Sequence, residues 1–138
     1  MGVEVEFQTA LVTALKADAT LMADIVGVYD VPPQESDSGS STAFPFVSIG
    51  SVVLTGLDTS TVHGFSGVCR LHTWSAHRGR KECKTVQGLI YDALHQTPLT
   101  VTGFNNFYLA RETTDSTQEI DTRLIHGICE YRVLIESA

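Results

Sequence analysis

Apolar positions near the start of the chain recur at helical spacing. Phe7, Leu11, Ala14 and Leu15, flanked by Val12, predict an opening helix that Lys16-Ala17-Asp18 ends or interrupts. Asp18 or Thr20 can cap a short second helix holding Leu21, Met22, Ile25 and Val26, and Gly27 is placed to stop it. Val28 to Val31 has room for a brief strand, closed by Pro32-Pro33 because proline gives no N–H to a ladder. From Phe44-Pro45-Phe46 to about Leu54 the spacing changes to alternation. Val47, Ile49, Ser51 and Val53 take one face, and Phe46, Ser48, Gly50 and Val52 take the other. Val68 to Trp74 alternates again, with Cys69, Leu71 and Thr73 opposite Arg70, His72 and Trp74.

A second amphipathic helix is predicted from about Arg80 to His95, its stripe being Cys83, Val86, Leu89, Ile90, Ala93 and Leu94, with Pro98 just beyond. A strand starting near Val101 or Phe104 runs to Glu112. The clearest strand is the last, Leu124 to Ile135, where Ile125, Cys129, Tyr131, Val133 and Ile135 share a face interrupted only by Gly127. Between these elements the sequence predicts polar, flexible loops near 34–43, 55–67 and 113–122. Helix, strands, helix, strands is the order of an α+β domain: a mostly antiparallel β-sheet with two or three helices packed on one face. Residues 1–138 read as one such domain, and loop lengths leave the strand order open.

Composition narrows the function classes. Nine Lys and Arg against sixteen Asp and Glu give a formal charge of −7. A nucleic-acid binder needs clustered cations that displace counterions, and the densest basic run here is only Arg78, Arg80, Lys81 and Lys84. A membrane-surface role fails on the same ground. The opening residues carry Glu4 and Glu6 where a secretory signal has basic residues, and no apolar run approaches the ~20 residues of a membrane span. Three cysteines, Cys69, Cys83 and Cys129, read as reduced thiols in a cytoplasm.

Motifs of catalytic chemistry are scarce in the sequence. The sequence has no Gly-Lys-Ser/Thr phosphate cradle, no Gly-x-Gly-x-x-Gly and no Gly-x-Ser-x-Gly elbow. Cys69 with His72, and His126 with Cys129, have metal-ligand types three residues apart. On a strand that spacing sends the two side chains to opposite faces, so no metal site is expected. Ser75 near His77 lacks an orienting acid and reads as turn chemistry. The acids Glu112, Asp115, Glu119 and Asp121 lack the spacing of a calcium loop. No cofactor and no enzyme activity are expected.

Partner-facing candidates are more suggestive. Phe65 lies in the predicted 55–67 loop between Gly64 and Gly67, where a large apolar ring has little local reason to be. Leu57 and Val62 share that loop. Trp74, at a strand end, has the character of an interface anchor as well as of a core or rim aromatic. With Arg78 and Arg80 in the following turn, these six residues form the candidate interface.

The ordered landmarks are the opening helix from Phe7 to Asp18, Val28-Tyr29-Asp30 followed by Pro32, Phe44-Pro45-Phe46-Val47-Ser48-Ile49-Gly50, Leu71-His72-Thr73-Trp74-Ser75 leading into Gly79-Arg80-Lys81-Glu82-Cys83-Lys84, and Ile125 to Arg132. In that order and spacing the chain resembles the tail completion, or tail terminator, family of tailed bacteriophages and gene transfer agents. The resemblance implies a structural virion protein, made in the host bacterial cytoplasm and placed at the head–tail interface. It implies a homo-hexameric ring at the head-proximal end of the tail tube, which stops tube polymerisation and docks to a head completion or stopper protein. DNA would pass through without specific binding. Alternatives are another head–tail connector, a tail tube subunit, and, from a different class, a small enzyme dependent on a metal or on Ser75 and His77.

Overall fold

The structure is a computed structural model; it describes residues 2–30, 44–58, 60–61, 63–95, 99, 101–119 and 124–137. Helix α1 (Val3–Ala17) carries Glu4 and Glu6 in its first turn and Lys16 in its last, each sign suited to the helix dipole. Phe7, Leu11 and Leu15, four apart, are fully buried. Asp18 ends α1 and caps helix α2 (Ala19–Asp24), its carboxylate accepting the Leu21 N–H at 2.9 Å. Ile25 and Val26, expected in that helix, lie past its end: Ile25 turns into the core and Val26 is exposed.

Among the described residues, five strands follow around one further helix: β1 (Val28–Tyr29), β2 (Phe46–Gly56), β3 (Gly64–Ser75), α3 (Lys81–Leu94), β4 (Phe104–Gln118) and β5 (Ile125–Ser137). Their order in the sheet is β1-β2-β3-β5-β4. Only the β1–β2 pair is parallel. The α+β reading, with a mostly antiparallel sheet, therefore holds. Helix α3 carries the chain across the sheet, so that β4 forms an edge and β5 returns to fill the place between β3 and β4.

Two readings of the strands need correction. Alternation along β2 placed Ser51 and Val53 with Val47 and Ile49. The ladder instead slips between Ile49↔Leu71 and Val52↔Cys69, leaving two residues of β2 opposite one of β3. One extra residue reverses every later side chain. Val52 and Leu54 consequently pack on the core, and Val53 is 62% exposed. The predicted loops were also too long. Thr55 and Gly56 complete β2 and Gly64 to Gly67 open β3, with the Leu57 N–H donating to the Gly64 carbonyl at 2.7 Å. Residues 113–118 are strand, because polar side chains there still leave the backbone free to pair with the apolar β5. The predicted 34–43 loop lies outside the described residues.

The core lies between the helices and one face of the sheet. It joins Phe7, Leu11 and Leu15 of α1, Leu21 of α2, Val86, Ile90 and Leu94 of α3, and Leu71, Leu109, Cys129, Tyr131, Val133 and Ile135 of the strands. The β5 face read from the sequence is buried throughout. Gly127, which looked like an interruption, allows α3 to sit down: a Cβ there would come within 2.5 Å of both the Cys83 Sγ and the Gln87 Nε2. Gln87, buried and missed by the apolar stripe, donates from that Nε2 to the Asp115 carbonyl at 2.8 Å. This hydrogen bond ties α3 to the edge strand.

Candidate functional site

With the helices on one face, alternate residues of the strands point away from the core. On β3 these are Val68, Arg70, His72 and Trp74, and on β5 they are His126, Ile128, Glu130, Arg132 and Leu134, facing one another across the ladder. Val53 of β2 lies beside Val68, and Tyr108 of β4 lies beside Leu134. Val53, Tyr108 and Leu134 are exposed large apolar side chains. Among the described residues, two arginine–carboxylate pairs cross this face, Arg70–Glu130 at 3.6 Å and Arg132–Glu112 at 2.6 Å. Both are open to solvent, and such pairs contribute at most ~1 kcal/mol each.

One end of this face is aromatic. Register sets Phe46 opposite Trp74 and Trp74 opposite His126. The His126 ring lies flat on Trp74, with centroids 3.9 Å apart and planes 7° apart. His72 Nδ1 is 2.7 Å from His126 Nε2. Tyr29 and Phe44 pack against Phe46 at 5.5 and 5.3 Å. Burial holds the pKa of His72 below its ordinary value, with the neighbouring His126 and Arg70 adding to the effect. Burial also lowers that of His126, and Glu119, whose Oε1 lies 3.5 Å from His126 Nδ1, works in the opposite direction.

The metal-type pairs separate as strand geometry requires. Cys69 and Cys129 are buried on the core face, and His72 and His126 stand on the other. Among the described residues no group of three or more His, Cys, Asp or Glu is arranged to hold a metal ion. All three thiols are free and buried, and burial pushes the pKa of Cys69 up to about 12 and that of Cys83 to about 11. Ser75 does find an acid: its hydroxyl donates to Glu82 Oε1 at 2.6 Å and accepts the His77 backbone N–H at 3.2 Å. The His77 imidazole has no part in either bond, so Ser75 joins the β3 end to the start of α3 rather than forming a nucleophile and base. Of the acidic run, Glu112 pairs with Arg132, Glu119 faces His126, and the Asp115 carboxylate accepts the Ser116 N–H. Asp121 lies outside the described residues.

The six interface candidates divide between the two ends of β3. Leu57, half exposed, follows β2 at the hairpin end, and Val62 lies outside the described residues. Phe65 is not a loop aromatic. It sits within β3, paired with Gly56 and Ile135, partly buried against the core with its ring 6.3 Å from that of Phe104. Flanking glycines made it resemble a loop residue. Gly67 is instead required by close packing: a Cβ there would collide with the Val53 carbonyl oxygen. At the opposite end stand Trp74, half-buried beneath His126, and the exposed Arg78 and Arg80, the latter donating from Nε to the Ser116 carbonyl at 3.4 Å. At ~3.3 Å per strand residue, Phe65 and Trp74 are roughly 30 Å apart. Sequence reasoning missed the His72–His126 contact, because only the β3–β5 register brings those two rings together.

The sequence of residues 9–136 matches the family described as tail completion protein gp17. The chain belongs to that family. As a tail completion protein it is a structural component of a virion tail, assembling with other parts of the particle. The fold is also that of a chain in a solved structure, "Virion of native gene transfer agent (GTA) particle", with a TM-score of 0.82, 21% identity and coverage of 94% of each chain. No curated protein sequence matches the chain. No helix among the described residues is long and apolar enough to cross a membrane.

Proposed function

We propose that this tail completion protein closes the head-proximal end of the tail tube as a homo-hexameric ring, stopping tube polymerisation and docking the tail to a head completion or stopper protein. The observation that carries the reading is family membership across residues 9–136. Geometry supports it in two respects. A closed ring is built from head-to-tail contacts, so each subunit needs two unlike lateral surfaces. Among the described residues the sheet has two unlike margins: the long β4 edge, and the β2 margin, which β1 pairs in parallel at Val47 and Ser48. The chain also has two opposed ends, Leu57 at one and Trp74, Arg78 and Arg80 at the other, suited to a tube on one side and a head protein on the other. A formal charge of −7 lets DNA pass without being held. Catalysis plays no part in this role.

Electron microscopy of particles made without this gene tests the proposal. Overlong or ragged tubes beside unattached, DNA-filled heads are expected, and normal virions would refute it. Long tubes formed by the purified protein alone would make it a tube subunit instead. Leu57→Ser and Arg80→Glu should each reduce joined particles while leaving the isolated domain folded. Surface changes of this kind alter stability by only ~0.5 kcal/mol.

A further inference from the structure

The contact between the two histidines has a definite geometry. Nδ1 of His72 and Nε2 of His126 are 2.7 Å apart, the ring centroids are 4.9 Å apart, and the planes differ by 25°. A short N···N distance with widely spaced, nearly parallel rings describes an edge-to-edge hydrogen bond, with the two nitrogens directed at each other. A zinc ion would not fit between them, since two ~2.05 Å Zn–N bonds at a tetrahedral angle hold their nitrogens about 3.3 Å apart, more than the 2.7 Å seen. One nitrogen must donate and the other accept. Glu119 Oε1 faces His126 Nδ1 at 3.5 Å, which sets the proton of His126 on Nδ1 and leaves Nε2 as acceptor for His72 Nδ1–H. The other face of the arrangement is fixed as well. His126 lies flat on Trp74, and His72 Nε2 occupies the space left by Gly50, where a Cβ would collide with it.

Such a pair accommodates one added proton and not two. With a single imidazolium, one ring donates and the other still accepts. With two, an N–H on each ring points at the other across 2.7 Å, and the bond is lost. We propose that the His72–His126 hydrogen bond, backed by Trp74, is an acid-sensitive clasp joining β3 to β5 on the face of the sheet opposite the helices, closed with at most one added proton and open with two. Among the described residues, the charged groups facing it are Arg70 and Glu119. Arg70 on β3 opposes protonation of His72, and is itself paired with Glu130 of β5. Glu119, before β5, favours protonation of His126. From β4, Thr117 stands across from His126 and Asp115 across from Ile128. From β2, Ser48 stands across from His72. Opening places two positive charges beside Arg70 and frees the Trp74 ring, so any contact this face makes at neutral pH is altered in acid.

The only tryptophan of the chain is Trp74, so its fluorescence reports the stack directly. The full chain is titrated from pH 8 to 4.5, with far-UV circular dichroism as a check on folding. The expected result is a change in emission centred below the ordinary histidine value of 6.5 while the fold is retained. His126→Phe keeps a ring on Trp74 but cannot titrate, and should abolish the step. His72→Gln leaves a single imidazole, whose proton the introduced amide oxygen can still accept, so no two-cation state exists and the step should be lost there too. A step that survives in either His72→Gln or His126→Phe overturns the proposal. Should either variant fail to fold, nitrogen NMR of the wild-type imidazoles decides the matter. A protonated His72 Nδ1 facing an unprotonated His126 Nε2 at pH 7.5, with coupled two-step titration, supports the clasp. Two independent titrations refute it.

Discussion

Two glycines make the seat of α3 measurable. Gly127→Ala places a methyl group 2.5 Å from both the Cys83 Sγ and the Gln87 Nε2, where the neighbours are a buried thiol and a buried amide already bonded to the Asp115 carbonyl. Overpacking of this kind costs about 1–3 kcal/mol. Displacing Gln87 adds the net value of its hydrogen bond, ~1 kcal/mol, for a total of about 2–4 kcal/mol. Domains of this size lose roughly 3–5 °C of Tm per kcal/mol, so a drop on the order of 10 °C is expected. Gly88, within α3 itself, is the control. A Cβ there meets nothing within 4 Å. Gly88→Ala should stabilise α3 by about 0.5–1 kcal/mol, because alanine is the better helix former. Thermal unfolding followed by circular dichroism, with urea titration at 25 °C, gives both numbers. If Gly127→Ala melts within ~2 °C of the wild type, α3 does not approach β5 as closely as described, and the account of this packing fails.

Three further outcomes follow from the core. Phe65→Ala should lower stability by about 1.5–3 kcal/mol in urea titrations, below the range for a fully buried phenylalanine because the ring is only partly covered; a neutral result would return Phe65 to a role in assembly alone. Among the described residues the buried Tyr131 hydroxyl has no hydrogen-bond partner, so Tyr131→Phe should be neutral or stabilising by ~1 kcal/mol, and a marked loss of stability would mean the hydroxyl is satisfied. Burial holds the Tyr131 phenol and the Cys69 and Cys83 thiols protonated well above their ordinary values. The native thiols should therefore resist a disulfide reagent at pH 8 and react, three per chain, only in denaturant; fast labelling of the native protein would contradict their burial.

Stability should also fall in acid. The pKa values of His72 and His126 are lower in the folded chain than the ordinary 6.5. Below pH 6.5 the unfolded chain therefore takes up protons that the folded chain does not, and stability declines until the folded pKa values are reached. Above that pH both states are neutral and these groups add nothing. Urea midpoints at pH 7.5 and 5.5 should differ in this direction, and the difference should shrink in His126→Phe.

Local rules made much of the fold legible in the sequence. Phe7, Leu11 and Leu15 at helical spacing, the Asp18 cap, the α3 stripe and the alternating face of β5 were all readable, because each reflects a repeat of 3.6 or 2 residues and burial on one side. The order of landmarks along the chain was enough to point to the family. Tertiary structure decided what depends on contacts between distant segments. The slip in β2 is invisible locally, since only pairing with β3 shows that two residues stand opposite one, and it alone reversed Val52 and Val53. Polar residues 113–118 became strand because β5 supplied the partner backbone. Phe65 moved from a presumed loop into a sheet for the same reason, and His72 met His126 across 54 residues of sequence only through the β3–β5 register. Spacing along a chain sets which way a side chain faces, whereas its neighbours depend on register, and register is a property of two strands together.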